Sequence, residues 1–290
     1  MPIEWLATRD AALRRFDQLH FRAHETELAV YREGGMTGWC PICRQVRNFR
    51  LPAPPDGRWV SLREELMCEC GMNSRMRMIV SALEESPPTG RFLMLERVTP
   101  LFAKIRDRYP FVEGCEYFGE DVEPGSIQRI RDVEVRHENL LRLSYADRSF
   151  DFIFHGDVLE HVPDIRLALS ECYRVLNRNG VMVFTCPMYN FENHIVRAFV
   201  KDGELVHILP PAYHGNPVDE NGALVFTEPS LSLLEDMRAV GFDTVEMGLA
   251  FDPSQGILRD GNPYEEYNAW PVIFRATRRR RLWAPNWGVE

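Results

Sequence analysis

The chain has 290 residues, 11% of them aromatic, and a formal net charge of −9. That length supports one good core plus a small appended module, and the acidic balance argues against a nucleic-acid partner or an anionic membrane surface. No run of about eighteen apolar residues is present and the start lacks a signal-peptide core, so the chain is read as cytoplasmic, without a membrane span. Its seven cysteines are then thiols or metal ligands.

Residues 4–32 carry apolar positions at helical spacing (Trp5, Leu6, Leu13, Phe16, Leu19, Leu28) and predict one or two helices, closed by Gly34-Gly35. Residues 1–36 are therefore taken as an N-terminal helical segment that packs on the main domain or a partner, or closes over a cleft. Two cysteine pairs follow, Cys40-Pro41-Ile42-Cys43 and, after 24 intervening residues, Cys68-Glu69-Cys70. Two such turns facing each other offer four thiolates to one tetrahedral metal, the pattern of a small zinc ribbon. The second pair is tighter than usual, and no thioredoxin-like surroundings suggest redox work. Structural zinc on Cys40, Cys43, Cys68 and Cys70 is the expectation, within a module spanning 37–84. Pro52, Pro54, Pro55 and Gly57 mark a loop between the pairs, and Ile79, Val80 and Leu83 predict the helix that completes the module. Pro87-Pro88 and Gly90 read as the linker into a main domain, residues 90–278.

Residues 91–96 (Arg-Phe-Leu-Met-Leu-Glu) predict a first strand, 114–118 the end of a second and 133–139 a third. Phe150 to Phe154 and Val181 to Phe184 are apolar runs suited to parallel strands buried on both faces. Between them Ile165, Leu167, Ala168, Leu169, Cys172, Val175 and Leu176 recur at helical spacing; Pro163-Asp164 opens the segment and Asn179-Gly180 closes it. This is a βαβ unit, with a right-handed crossover.

The run SFDFIFHGDVLEHVPD followed by ALSECYRVLNRNG resembles the central block of class I S-adenosylmethionine-dependent methyltransferases, the type 11-like group in which Glu-His follows the fourth strand. The resemblance implies a doubly wound, mostly parallel seven-stranded sheet, with Thr244 to Leu249 and Val272 to Ala276 as the last two strands. It also implies S-adenosylmethionine as cofactor. Its first turn would bring Glu96 and Thr99 beside the cofactor, with Thr99 and Pro100 opening the next helix. The family's turn is glycine-rich, whereas Glu96-Arg97-Val98-Thr99-Pro100-Leu101 has none, so the cofactor sits differently or the site has been lost. Glu116 stands where the family places a carboxylate that accepts from both ribose hydroxyls, with Tyr117 next to it. It would serve a ligand and not the core. Asn139 and Leu140 fall at the adenine position, and His155, Gly156 and Asp157 would face the methionine end.

His161 is a candidate general base, with a helix-capping role equally open. Residues from Met188 to about Asp202 predict a helix. An insertion of about 203–228 then carries Tyr213-His214-Gly215-Asn216, similar to a Tyr-His-Gly-Asp segment in related methyltransferases. Tyr213 and Asn216 are candidate substrate contacts and His214 is the preferred base over His161, because loops beyond the strand ends are where open α/β sheets recognise substrates. Cys186, at the end of the fifth strand, reads as a core thiol. The Arg278–Arg281 run reads as a solvated edge after the last strand, and residues 279–290, with Asn286, Trp287 and Gly288, are a tail that the sequence does not place. Methyl transfer to a small-molecule or saccharide acceptor, at oxygen or nitrogen, is the expected activity. The alternative is a methyltransferase-like scaffold whose chemistry is lost or altered.

Overall fold

The computed structural model describes residues 3–53, 59–188, 192–261 and 268–279. Residues 4–6 form a short strand, β1 (Glu4–Leu6), before the long helix α1 (Arg9–Glu33) begins. The helix starts where the Thr8 hydroxyl accepts the Ala11 N–H at 3.3 Å and stops at Gly34, whose left-handed φ of 68° closes it. Its buried face, Ala12, Phe16, Ala23, Glu27 and Val30, repeats at helical spacing.

Strands β2 (Gly35–Cys40), β3 (Gln45–Arg50) and β4 (Met67–Cys68) make a three-stranded antiparallel sheet. The short α2 (Leu62–Glu65) precedes β4, and α3 (Ser74–Glu85) follows it, capped by Asn73, whose Oδ1 accepts the Met76 N–H at 2.9 Å. Of the expected loop, Pro54, Pro55 and Gly57 lie outside the described residues.

The main sheet is built from β5 (Phe92–Met94), β6 (Val112–Glu116), β7 (Ile127–Ile130), β8 (Val133–His137), β9 (Phe150–Gly156) and β10 (Leu176–Thr185), together with β1 and the two C-terminal strands Thr244–Leu249 and Val272–Arg278. Its order is β1, Thr244–Leu249, Val272–Arg278, β10, β9, β5, β6, β8, β7. Nine strands stand where seven were expected: β1 adds to one edge and β7, hairpinned onto β8, to the other. The five inner strands are mutually parallel. Both faces are covered, Phe92, Met94, Phe152 and Phe154 packing into one core cluster and Leu93, Ile153, Met182 and Phe184 into another. The chain leaves β5 in one direction along the sheet and β9 in the other. The region beyond the carboxyl ends of these two strands is therefore the candidate cleft, the place where open α/β sheets bind ligands.

Helix α4 (Pro100–Arg108) follows β5 and α5 (Ile165–Val175) connects β9 to β10. Asn179-Gly180 does not end α5. The helix stops at Val175, and Asn179, at φ 66°, lies within β10, where the register against β9 shifts between Leu176 and Val181. The helix expected from Met188 is absent from the described part of that stretch, which holds the hairpin Ala198–Lys201 with Glu204–His207. Its turn is Asp202-Gly203, both at positive φ (52° and 82°), the geometry that matches strand twist in a two-residue hairpin. Further short pairs join Ile195–Val196 to Thr227–Glu228 and Tyr213–His214 to Ala223–Leu224. Helix α6 (Leu233–Val240) then leads to the last two main-sheet strands. The Arg278 side chain is half-buried and tied to the backbone, where a solvated one was expected. It donates to the carbonyls of Arg174 and Leu176 at 3.1 and 2.8 Å, closing the carboxyl end of α5; Arg280 and Arg281 lie outside the described residues.

The segment 255–260 joins the N-terminal elements to the sheet. Arg77, fully buried in α3, donates to the carbonyls of Leu66 and Met72 on one side and of Gln255 and Gly256 on the other. Arg259 pairs with Glu27 of α1 at 2.7 and 2.6 Å, both buried, and Asp260 accepts from Ser61 and Leu62. Among the described residues no helix is long and apolar enough to cross a membrane.

Candidate active site

The turn after β5 is organised by Glu116, at the end of β6. Its Oε1 accepts the backbone N–H of Arg97 at 2.7 Å and of Val98 at 2.9 Å. A carboxylate so held belongs to the fold as well as to any ligand, which corrects the expectation that it serves a ligand alone. Burial pushes its carboxyl upward, and the two N–H groups pull against that. The glycine missing from the turn has a counterpart in β6: a Cβ on Gly114 would collide with the Phe102 ring and the Arg97 stem, so the strand yields the space that the turn's side chains need. Thr99 caps α4 by accepting the Phe102 N–H at 3.1 Å. Glu96 Oε1 is enclosed without a hydrogen-bond partner among the described residues, and desolvation raises the carboxyl to about 7 against the opposing pull of Arg75.

At the far side of the cleft, Tyr117 is 43% exposed and donates to Glu120 Oε1 at 2.9 Å. Asn139 donates to Glu120 Oε2 at 3.1 Å, while its Oδ1 accepts the Leu141 N–H. Its carbonyl oxygen is therefore engaged within its own loop. Leu140 beside it is buried. His155 does not face the cleft: it is fully buried, stacked on Phe184 at 4.7 Å between centroids, and desolvation pushes it down to about 3. The lip of the fourth strand is left to Gly156 and Asp157.

Asp157 is the most heavily bonded carboxylate of the site. It sits at φ 53°, its N–H donating to the Thr185 carbonyl at 2.9 Å. Thr185 Oγ1 donates to Oδ1 at 2.8 Å; Arg63 Nη2 reaches both oxygens, at 2.8 and 2.7 Å; Arg75 Nε lies 3.4 Å from Oδ2. The two guanidinium groups hold this carboxyl far below the usual carboxylate range, against the burial that opposes it. Glu64 accepts from Arg75 at 3.0 Å and pairs with Arg63, setting both arginines in place. Sequence reasoning missed Arg63 and Arg75. They belong to α2 and α3, and no local spacing announces a contact across 94 residues.

A second group gathers where the 3-10 turn Leu159–His161 meets the insertion. Phe226 donates to the Glu160 carbonyl at 2.8 Å, and His161 Nδ1 lies 2.8 Å from the Leu224 carbonyl, so that nitrogen carries the proton. His161 Nε2 and His214 Nδ1 stand 3.7 and 3.8 Å from Glu160 Oε1, with the two rings edge to face at 5.0 Å. The two histidines considered separately in the sequence thus share one carboxylate, and Glu160 was overlooked. Tyr213 is 57% exposed beside them, and Asn216 Oδ1 accepts the Val218 N–H, shaping its own turn. The Cys186 thiol is buried and pushed well above its ordinary value.

The four module cysteines converge. Cys40 and Cys70 sulfurs lie 4.0 Å apart, Cys43 and Cys68 3.8 Å, and all four within 4.8 Å of one another. Sulfurs around a tetrahedral zinc, with bonds of about 2.3 Å, are about 3.8 Å apart. No disulfide forms among the described residues, and all seven cysteines are free.

Residues 103–184, running from α4 to β10, match the family model described as the methyltransferase domain. The chain is similar to a ubiquinone biosynthesis O-methyltransferase of Azorhizobium caulinodans, 29% identical over 152 residues, which covers 49% of this chain and 56% of that protein. It is also similar to a demethylmenaquinone methyltransferase of Alkalihalophilus pseudofirmus, 38% identical over 55 residues, 19% of this chain and 23% of the other. The aligned stretches thus span between about a quarter and about half of the relatives' own lengths. An S-adenosylmethionine-dependent methyltransferase of Mesorhizobium loti, solved as a crystal structure, aligns at a TM-score of 0.41 and 16% identity over 69% of this chain and 98% of that one.

Proposed function

We propose that the protein transfers a methyl group from S-adenosylmethionine to a small-molecule or saccharide acceptor, at oxygen or nitrogen. The observation that carries this is the position of Glu116, Asp157 and Glu160 at or just past the carboxyl ends of β6 and β9, the parallel strands that flank β5, all within the matched methyltransferase segment. Glu116, with Tyr117, Asn139 and Leu140, lies where the ribose and adenine would rest; Glu96, Thr99, Gly156 and Asp157 line the methionine end. Arg63 and Arg75 keep Asp157 ionised there. The acceptor's lone pair bonds to the methyl carbon as the carbon–sulfur bond breaks and its electron pair returns to sulfur, leaving S-adenosylhomocysteine. The enzyme's work is to align the two in near-attack geometry. The acceptor's proton leaves on the side of His161 and His214, with Tyr213 and Asn216 on the insertion that admits the acceptor.

The family match and the intact carboxylates favour this over a decayed scaffold. The Cys40, Cys43, Cys68 and Cys70 cluster is read as a closed zinc site whose role is folding, since four thiolates leave no open position. The test is binding and transfer. S-adenosylhomocysteine at 100 times its dissociation constant should stabilise the protein by about 2.7 kcal/mol, and labelled S-adenosylmethionine should pass its methyl group to an acceptor from a panel of hydroxylated and aminated small molecules. A protein whose melting is unmoved by either nucleoside is not a methyltransferase.

A further inference from the structure

Glu160 is 1% exposed, and neither of its carboxylate oxygens has a hydrogen-bond partner among the described residues. A buried carboxylate left this way is costly unless a positive charge comes to it. Among the described residues the basic groups within 4.0 Å of it are two imidazoles and no lysine or arginine: His161 Nε2 at 3.7 Å and His214 Nδ1 at 3.8 Å from Oε1, with one donor atom from each of the three residues within 4.8 Å of the others. His161 is oriented as a metal-bound imidazole is, one ring nitrogen donating to a backbone carbonyl, Leu224 at 2.8 Å, so that the other presents its lone pair towards Glu160. Donors around a tetrahedral ion with bonds of about 2.1 Å are about 3.4 Å apart, and the two imidazole nitrogens already stand 3.7 and 3.8 Å from the carboxylate oxygen.

We propose that Glu160, His161 and His214 hold a divalent first-row metal ion. Two imidazoles and one carboxylate occupy three positions and leave others open, the form of a catalytic site and not of the closed four-cysteine cluster. His214 sits on the strand pair Tyr213–His214 with Ala223–Leu224, which Leu224 and Phe226 tie to the 3-10 turn. The ion therefore joins the insertion to the fourth strand's end and faces the acceptor. Resting on the methyl-transfer reading, its open positions take the acceptor's hydroxyl oxygen and lower that group's pKa; the proton is lost to solvent and the oxygen lone pair is freed for the methyl carbon. Neither histidine then needs to be a free base.

Manganese(II) is the probe, because its preference for oxygen and nitrogen keeps it off the four thiolates. Titrated into the full-length protein as purified, without any nucleoside, it should lose the six-line paramagnetic resonance signal of the free ion at one ion per chain. Glu160→Gln and His214→Ala should each weaken binding by about tenfold or more. His214 is 41% exposed at its side chain, so its loss spares the fold, and circular dichroism identifies a Glu160→Gln protein that has not folded. A parent protein that leaves the free-ion signal unchanged overturns the proposal, as does a folded His214→Ala that binds like the parent. Because the titration uses no S-adenosylmethionine, its failure is separate from a failure of the methyl-transfer reading.

Discussion

One nitrogen of Arg63, Nη2, donates to both carboxylate oxygens of Asp157, across 94 residues of chain. Both side chains are mostly buried, 13% and 16% exposed, so removing Arg63 takes the bidentate partner from a buried carboxylate that keeps only Arg75 and Thr185 among the described residues. Arg63→Met should cost about 3 kcal/mol of stability, measured by urea unfolding at neutral pH. The double variant Arg63→Met with Asp157→Asn should recover much of it. If the two single losses simply add, the pair is not coupled and this account of the contact fails.

Two carboxylates of the cleft pull stability in opposite directions with pH. Glu96 is raised to about 7 when folded, so its contribution is full at pH 4 and is lost as pH rises to 7. Asp157 is lowered, so its contribution is present above the unfolded value, about 4, and is lost as pH falls below it. Glu96→Gln should therefore flatten the decline between pH 4.5 and 7 by up to about 3 kcal/mol, in the absence of ligand. An unchanged pH profile would place the Glu96 carboxyl in solvent.

Glu116→Ala should lose twice over. The Arg97 and Val98 N–H groups are left without their acceptor, at about 1–3 kcal/mol each, and the cofactor's ribose loses its carboxylate. Calorimetry with S-adenosylhomocysteine on the surviving folded protein should show affinity weakened at least tenfold. Unchanged affinity would confine Glu116 to holding the turn.

Protein purified without added metal should carry close to one zinc per chain on the four module cysteines. Cys68→Ser, or a strong chelator, should lower the melting temperature and loosen Arg63 and Arg75 with it, because α2 and α3 flank Cys68 and Cys70 in the chain. A metal-free protein that melts at the same temperature would sink the zinc assignment.

The inner strands were legible because strands buried on both faces must be apolar throughout, as Phe150 to Phe154 and Val181 to Phe184 are. So were the cysteine pairs, whose spacing is local. The helix expected from Met188 failed on a local signal that was there to read: Asp202-Gly203 is a two-residue hairpin turn, and it outweighs a helical pattern of apolar residues. β1 was hidden inside a longer helical pattern because three residues carry too little periodicity to separate. His155 is a different case. Its neighbour Gly156 reaches the cleft, but alternation along a strand sends side chain 155 to the opposite face, against Phe184. Arg63, Arg75 and Glu160 were missed because their meaning lies in what they meet: a carboxylate 94 residues away for the first and two imidazoles for the last.

The ties of the segment 255–260 bear on how the chain comes to be folded. Ser61 waits 199 residues for Asp260, Arg77 waits 178 for the Gln255 carbonyl, and Glu27 waits 232 for Arg259. On the ribosome the N-terminal elements emerge first and stay without these partners until almost the whole sheet has been synthesised. Contacts this distant in sequence are slow to form and leave apolar faces uncovered meanwhile. The four cysteines lie within 31 residues of one another, so a metal bound there would close its site early, with a part in synthesis separate from any part in the finished molecule.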